Sequence, residues 1–556
     1  MNIFLAQQNY HIGNFEANTA KIITAIKAAE QQGADLVVFS ELCVCGYPPR
    51  DFLEFEDFIA KSYAAIDEIK AHTTKTAVLV GAPHRNPVRE GKDLFNAAWF
   101  LYEGEVKQII HKTLLPTYDV FDEHRYFEPA YEWNVVPFKG KRLAVTVCED
   151  IWNLGNNPLY RVCPMDRLME QSPDVMLNLS ASPFDYDHDE SRKEIIRENV
   201  RKYRLPMYYC NTVGSQTEIV FDGGSLIFDG QGNIVKELPY FEEAMAGVDL
   251  DTLAKADLAT AVPFHGTSDI TALEFDHNIH RIHDAIVLGI KDYFGKMGFK
   301  QAILGSSGGI DSAVTLALAV TALGKDNVRA VAMPSPYSTE HSVDDAVALS
   351  KNLENPFDII RINNIYETFL DTLDPFFHGL PFNVAEENTQ SRIRGNLLMA
   401  LSNKFGYILL NTSNKSELST GYGTLYGDMA GGLSVLGDVY KMQVYALATY
   451  INRDKEIIPH NIIHKAPSAE LRPNQKDSDS LPDYAVLDKI LYQYIERRQG
   501  PREIIEQGFD AALVARTLKM VNTNEYKRNQ FCPIIRVSSK AFGVGRRVPI
   551  VGKYLS

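Results

Sequence analysis

Three apolar runs in the first half of the chain each end on a residue able to do chemistry. Leu36-Val37-Val38-Phe39-Ser40 leads to Glu41, Ile109-Ile110-His111 to Lys112, and Leu143-Ala144-Val145-Thr146-Val147 to Cys148. A thiol is a poor nucleophile until it is deprotonated; a neighbouring ammonium lowers its pKa, and a carboxylate can take its proton and return it to a leaving amine. Taken singly, each residue reads equally as a solvated charge or a small core side chain. In the second half Gln301-Ala302-Ile303-Leu304 runs into Gly305-Ser306-Ser307-Gly308-Gly309-Ile310-Asp311-Ser312 and then the apolar Ala313 to Leu318. A strand, a glycine turn and a helix start bare backbone N–H groups, and Ser307 and Ser312 add hydroxyl donors, so the loop is an anion cradle with phosphate as its natural guest. Asp311 inside the cradle would repel phosphate unless a divalent cation lies between them. Magnesium is therefore implied, and the guest is a metal-bound nucleotide. The cradle lacks the lysine of the GxxxxGK[ST] loop.

These residues need strand ends to hold them. Asn2 to Ala6, Asp35 to Phe39, Ala77 to Val80, Leu143 to Val147, Val175 to Leu179 and Met207 to Cys210 read as strands, and Asn18 to Gln31 and Arg192 to Tyr203 as helices. Ala97 to Tyr102 and Gly224 to Lys236 read as hairpins, which together predict a layered α/β domain. Periodicity breaks down between Asp249 and Asp276, so two domains are expected, residues 1–260 and 261–556. The second opens with a helix from His280 to Met297; Val328 to Met333 and Tyr407 to Asn411 read as further parallel strands. That plan is a doubly wound sheet with the nucleotide at the strand C-termini. Glu417, just past a strand, either shares a cation with Asp311 or belongs to a helix cap.

Composition narrows the class. With 45% hydrophobic and 23% charged residues in 556, the chain reads as soluble and globular. A formal charge of -15 argues against a nucleic-acid groove and requires any phosphate site to be locally basic. Six scattered cysteines are too few for a disulfide framework, and Cys43-Val44-Cys45 is one residue short of a CxxC pair, which reads as two small buried thiols. No stretch approaches bilayer length and no basic leader opens the chain, so a reducing cytoplasm is expected.

The string Ser307-Gly308-Gly309-Ile310-Asp311-Ser312 resembles the pyrophosphate loop of the ATP pyrophosphatases, which cut ATP between its first and second phosphates and activate a carboxyl or carbonyl as an adenylate. Over roughly residues 1–260 the chain resembles the nitrilase and carbon-nitrogen hydrolase superfamily, in Val38-Phe39-Ser40-Glu41-Leu42, Gly46-Tyr47-Pro48-Pro49, His111 to Pro116, Phe121 to Phe127 and Val147-Cys148-Glu149-Asp150-Ile151-Trp152. That resemblance implies an αββα sandwich in which Glu41 is general base, Cys148 the nucleophile that forms a thioester and Lys112 the group on the oxyanion. It also implies Tyr118 and Ser182 as glutamine-binding residues. His188 stands where many relatives carry a lysine six residues after that serine, and is the candidate for the same role here. Glu123 reads either as a supporting acid or as a charged loop residue.

The second half is similar to the NAD synthetase family, whose domain is a doubly wound sheet of the adenine-nucleotide α-hydrolase type. The matching segments are Asn388 to Gly395, Glu417, Tyr426-Gly427-Asp428, Lys441, Lys465 to Leu471 and Glu525-Tyr526-Lys527-Arg528. The resemblance implies ATP contacts from the loop Gly305 to Ser312, Thr412 and Lys441, magnesium on Asp311 and Glu417, and deamido-NAD contacts from Asn388, Arg392, Glu417, Asp428 and Lys527. Together the halves imply ATP-dependent amidation of deamido-NAD with ammonia released from glutamine. The expected partners are those three small molecules, with no nucleic acid and no membrane, in a homo-oligomer. Two other readings stay open: a glutamine-fed ATP pyrophosphatase acting on a different substrate, and a nucleotide-binding regulatory subunit without catalysis.

Overall fold

Side chains alternate across a strand, and in Asn2–Gln7 that alternation sends Ile3 and Leu5 to one face and Phe4 and Ala6 to the other. Both faces are apolar, so the strand must be covered on two sides. The computed structural model describes residues 1–154, 159–253, 271–473 and 475–555, with the side chains of His188 and Asp189 outside that description. The chain divides into two compact units, Met1–Asp269 and Ile270–Ser556. The boundary expected at residue 260 lies outside the described residues.

In the first unit one sheet runs in the order Ala244–Asp249, Asn2–Gln7, Leu36–Val38, Ala77–Arg85, Leu94–Tyr102, Glu105–His111. A second runs Ile234–Glu237, Leu226–Phe228, Met207–Asn211, Val175–Ser180, Lys141–Val147, Val136–Phe138. Ile3, Leu5, Val38 and Leu79 of the first pack on Val145, Leu177 and Ile227 of the second. The outer face of the first sheet is covered by helices Phe15–Gln31 and Glu56–Lys70 through Ile22, Ile26, Ile66 and Ile69. Pro164–Met169 and His188–Tyr203 cover the other through Met165, Leu168, Ile196 and Val200. This is the expected αββα sandwich. The hairpin read at Ala97 to Tyr102 pairs Leu94–Tyr102 with Glu105–His111, and that read at Gly224 to Lys236 pairs Leu226–Phe228 with Ile234–Glu237.

The second unit is built on five parallel strands in the order Phe357–Ile359, Val328–Ala332, Ala302–Gly305, Ile408–Asn411, Leu433–Ser434. Numbered along the chain this is 3-2-1-4-5, so the direction of winding reverses between Ala302–Gly305 and Ile408–Asn411. A crevice opens at the strand C-termini at that point. Ile303, Val331 and Leu409 pack against helices Asn363–Phe377 and Val384–Phe405. Helix Ile310–Leu323 lies on Ala302–Gly305 and Val328–Ala332 and is backed by Ile279–Met297 and Lys441–Ile451. Among the described residues no helix is long and apolar enough to cross a membrane.

Candidate functional site

Each of the three strand-end residues of the first unit follows its strand closely: Glu41 after Leu36–Val38, Lys112 directly after Glu105–His111, Cys148 directly after Lys141–Val147. Lys112 Nζ donates to Glu41 Oε1 at 2.7 Å and to Glu123 Oε1 at 2.8 Å, and all three side chains are buried. Asn96 Nδ2 bridges the two carboxylates, 2.6 Å from Glu41 and 3.3 Å from Glu123, and the Tyr47 hydroxyl donates to Glu123 at 2.9 Å. Glu123 is therefore part of the cluster rather than a loop charge. Cys148 is held at φ 43°, a left-handed conformation costly for a non-glycine residue and typical of functional turns.

The charges of the cluster decide the resting state of the thiol. Burial first, and then Glu41, push the Cys148 pKa well above its ordinary value, against the opposing pull of Lys112. The single ammonium is already matched by two carboxylates, so it does not by itself make a thiolate as the residue types suggest. Burial alone would lower the Lys112 pKa, yet Glu123 and Glu41 together hold it well above normal. Burial, opposed by Lys112 and helped by Glu41, raises Glu123 to about 7. Cys148 rests as a thiol beside a carboxylate, an arrangement in which proton removal accompanies attack.

Asp150 fixes the spacing of two of these groups. Its carboxylate accepts from the backbone N–H of Thr113 at 3.0 Å and Leu114 at 2.8 Å, just past Lys112, and from Val147 at 3.0 Å, just before Cys148. Asp150→Ala orphans three buried donors and is expected to cost on the order of 3 kcal/mol at neutral pH, read by denaturant unfolding. Burial raises the folded pKa of Asp150 from 3.8 to about 6. The native state thus keeps a proton that the unfolded chain has released, and this group's contribution falls as pH rises through that window. The variant should lose that slope, and an unchanged pH dependence would refute the assignment.

Of the glutamine candidates, the exposed ring of Tyr118 directs its hydroxyl to Glu149, 3.0 Å from each oxygen, and Tyr160 donates to the same carboxylate at 3.2 Å. Ser182 is buried, its backbone N–H donating to Asn211 Oδ1 at 2.9 Å. The side chain of His188 lies outside the described residues. Cys43 and Cys45 are fully buried thiols, and burial pushes Cys43 up to about 12.

In the second unit the cradle joins strand Ala302–Gly305 to helix Ile310–Leu323. Ser307 Oγ accepts from the Gly309 N–H and lies 3.2 Å from Ser312 Oγ, which donates to the Gly309 carbonyl at 3.0 Å. Gly308 has φ 75°, and a Cβ there would stand 2.1 Å from the carbonyl oxygen of Ser342. Gly308→Ala should displace the cradle and cut ATP-dependent turnover about 100-fold, because small misplacements of reacting groups carry penalties of that order. A rate unaffected by this change would mean the cradle is not used.

Asp311 Oδ2 lies 2.5 Å from Lys441 Nζ, and Asn414 Nδ2 donates to Asp311 Oδ1 at 2.8 Å. Glu417 forms the helix cap that is one of the two readings of its position, and it also faces Lys441. Its Oε2 accepts from the Asn414 N–H at 3.3 Å in a reciprocal cap of helix Lys415–Thr420, while Oε1 lies 3.6 Å from Lys441 Nζ. Burial first, then Asp311, raises the Glu417 pKa to about 8. A cavity of about 310 Å³ is lined by Gly305, Ser306, Ser307, Gly309, Ile310, Asp311 and Ser312, with Thr412, Glu417, Asp428 and Lys441. Gly308 is not among the lining residues. Among the described residues the lining holds three cations, Arg394, Lys441 and Lys465, against five carboxylates, Asp311, Glu417, Asp428, Glu470 and Asp477. The expectation of a locally basic phosphate site is therefore corrected: this lining has no cationic surplus. Two adjacent carboxylates facing a phosphate cradle fit magnesium, which takes one or two carboxylates and completes its shell with phosphate oxygens and water.

The remaining candidates gather on the loop between Gly421 and Asp428. Asp428 Oδ1 accepts from the Thr424 N–H at 2.6 Å, and Thr424 Oγ1 donates to Asn388 Oδ1 at 2.7 Å. Arg392 Nε donates to the Leu425 carbonyl at 3.2 Å, and Lys527 Nζ to those of Gly421 at 2.7 Å and Gly423 at 2.8 Å. Asn388, Arg392 and Lys527 thus shape this loop rather than line the cavity. Residues not assigned from sequence are Asn96, Asp477 and Arg394. A lone polar residue in the apolar run Leu94-Phe95-Asn96-Ala97-Ala98-Trp99 was the available signal for the first.

The profile of the NAD synthase family matches residues 282–531, and that of the carbon-nitrogen hydrolase family residues 3–161. The chain is 44% identical over 559 residues to a glutamine-dependent NAD(+) synthetase of Synechocystis sp., covering 99% of this chain and 98% of the relative. It is 39% identical over 578 residues to one of Thermotoga maritima, covering 100% and 99%. Among solved structures, a glutamine-dependent NAD+ synthetase from Acinetobacter baumannii in complex with adenosine diphosphate is similar with a TM-score of 0.75 and 38% identity, over 99% of this chain and 98% of that one.

Proposed function

The chain belongs to the glutamine-dependent NAD(+) synthetase family, and from that premise we propose how its residues carry out ATP-dependent amidation of deamido-NAD with nitrogen from glutamine. In the first unit Cys148 attacks the glutamine carboxamide while Glu41 takes its proton. Lys112 has two donors engaged by Glu41 and Glu123, and its third serves the oxyanion. Glu41 returns the proton to departing ammonia, then activates the water that hydrolyses the thioester to glutamate. Tyr118, Ser182 and His188 hold the glutamine.

In the second unit the cradle Gly305 to Ser312, Thr412 and Lys441 bind ATP, Glu417 and Asp428 serve deamido-NAD from the cavity wall, and Asn388, Arg392 and Lys527 serve it through the loop that they hold. The nicotinate carboxylate attacks the first phosphorus of ATP, pyrophosphate leaves, and ammonia then displaces AMP from the adenylate. Magnesium, held by Asp311 and Glu417 when bound, offsets the phosphate charge. Ammonium at neutral pH is not nucleophilic, which gives the glutaminase its purpose. We assign the division between the functions to the neighbourhood of residue 260. We place the protein in the cytoplasm, where its six free cysteines remain reduced, as a homo-oligomer open to test by light scattering.

The observation that carries the reading is the presence in one chain of a buried Glu41-Lys112 pair beside Cys148 and of a phosphate cradle with Asp311 at a sheet reversal. Its test is the yield of NAD, AMP, pyrophosphate and glutamate from ATP, glutamine and deamido-NAD, each omitted in turn. Pyrophosphate release indifferent to deamido-NAD would favour another substrate.

A further inference from the structure

Two of the three cations lining the second unit's cavity are spent on neighbouring carboxylates. Lys441 Nζ lies 2.5 Å from Asp311, and Lys465 Nζ lies 2.9 Å from Asp345. Arg394 is different: its one hydrogen bond among the described residues runs from Nε to the Met333 carbonyl at 3.0 Å, and it makes no ion pair with any of them. Its terminal nitrogens therefore have no protein partner in that set. A partly buried guanidinium with no anion in contact among the described residues is costly to desolvate, and burial lowers its pKa to about 10, which leaves it charged at neutral pH.

Its position is fixed from both sides. Met333 follows strand Val328–Ala332, and a Cβ on Gly305, the first residue of the cradle, would lie 3.5 Å from the Met333 side chain and 3.4 Å from that of Leu398, one turn along the helix from Arg394. On the other side, a Cβ on Gly395 would lie 2.9 Å from the Gly427 carbonyl, so the helix is pressed against the loop that carries Asp428. The charges of Asp428 and then Glu470 are both felt at Arg394, with an ion pair to neither. Arg394 thus stands between the phosphate cradle and the side assigned above to deamido-NAD. The two substrates meet at the first phosphorus of ATP, where the nicotinate carboxylate attacks.

We propose that Arg394 is a catalytic residue of adenylation, its two terminal nitrogens binding the oxygens of the phosphoryl group that the nicotinate carboxylate attacks. This rests on the synthetase reading above. A carboxylate oxygen bonds to the first phosphorus as the bond from that phosphorus to its bridging oxygen breaks, and the electron pair leaves with pyrophosphate. Arg394 gives up no proton; it stabilises charge on the oxygens that stay.

The test compares full-length enzyme with Arg394→Ala and Arg394→Lys, using ATP, deamido-NAD and ammonium and reading pyrophosphate release, with glutaminase rate and melting temperature as folding controls. Arg394→Ala is expected to lose about 100- to 1,000-fold in kcat, and millimolar guanidinium should restore at least about tenfold of that. Arg394→Lys keeps the charge without the two-nitrogen fork, so its KM for ATP should stay near the parent value while kcat falls about tenfold. An Arg394→Ala rate within about threefold of the parent overturns the assignment. So does a loss that Arg394→Lys shares in full and guanidinium does not relieve, because that pattern marks a structural role. Failure of the unaltered enzyme to release pyrophosphate would instead defeat the synthetase reading.

Discussion

Cys148→Ala is expected to lower NAD formation from glutamine by roughly 10⁴-fold or more, since removing a nucleophile disables the whole of its catalytic unit, while formation from added ammonium persists near the parent rate. The reason lies in the separation of parts. Cys148 follows a strand of the first unit, whereas every residue of the cradle, with Lys441 and Glu417, belongs to the second. The substitution removes one sulfur from an apolar layer that includes Val145, Val147 and Leu177, so the fold should stand. NAD measured with glutamine and with ammonium chloride decides it. Loss of both activities would sink the two-site account.

Asp311→Asn should instead remove synthesis from either nitrogen source by about 10³-fold, the size expected when several kcal/mol of charge stabilisation by a bound cation is withdrawn. The amide has the shape of the carboxylate it replaces, but it cannot balance Lys441 at 2.5 Å or share a divalent cation with Glu417. Glutamine hydrolysis at Cys148 should continue. The burial that raises Glu417 would remain while the contribution of the neighbouring Asp311 disappears, so the pKa of Glu417 should fall. The ammonium-dependent rate, followed across a magnesium titration, is the measurement. An unchanged rate at ordinary magnesium would refute the role given to Asp311.

What the sequence determined by itself was local. Alternation in Asn2 to Ala6 and in Leu143 to Val147 specified strands apolar on both faces, and hence layers on both sides of each sheet. The string Ser307 to Ser312 specified a turn between strand and helix, because glycine and the helix N-terminus act within a few residues of themselves. Sheet order and partner choice were settled only in three dimensions. Glu41 and Lys112, 71 positions apart, meet because Leu36–Val38 and Glu105–His111 run in the same direction, with two strands between them, and finish at the same end of one sheet, and nothing within either segment encodes Asn96 or Glu123 as the groups that complete the cluster. The resting protonation of Cys148 likewise depends on burial and on a count of surrounding charges, neither of which is a property of neighbouring letters. The same holds for the cavity in the second unit. Its cradle was legible residue by residue, whereas its balance of carboxylates over cations, and the guanidinium of Arg394 that makes no ion pair among the described residues, arise from segments far apart in the chain that pack around one sheet reversal. Hydrophobic periodicity is short-range and survives in one dimension; electrostatic environment is a sum over space and does not.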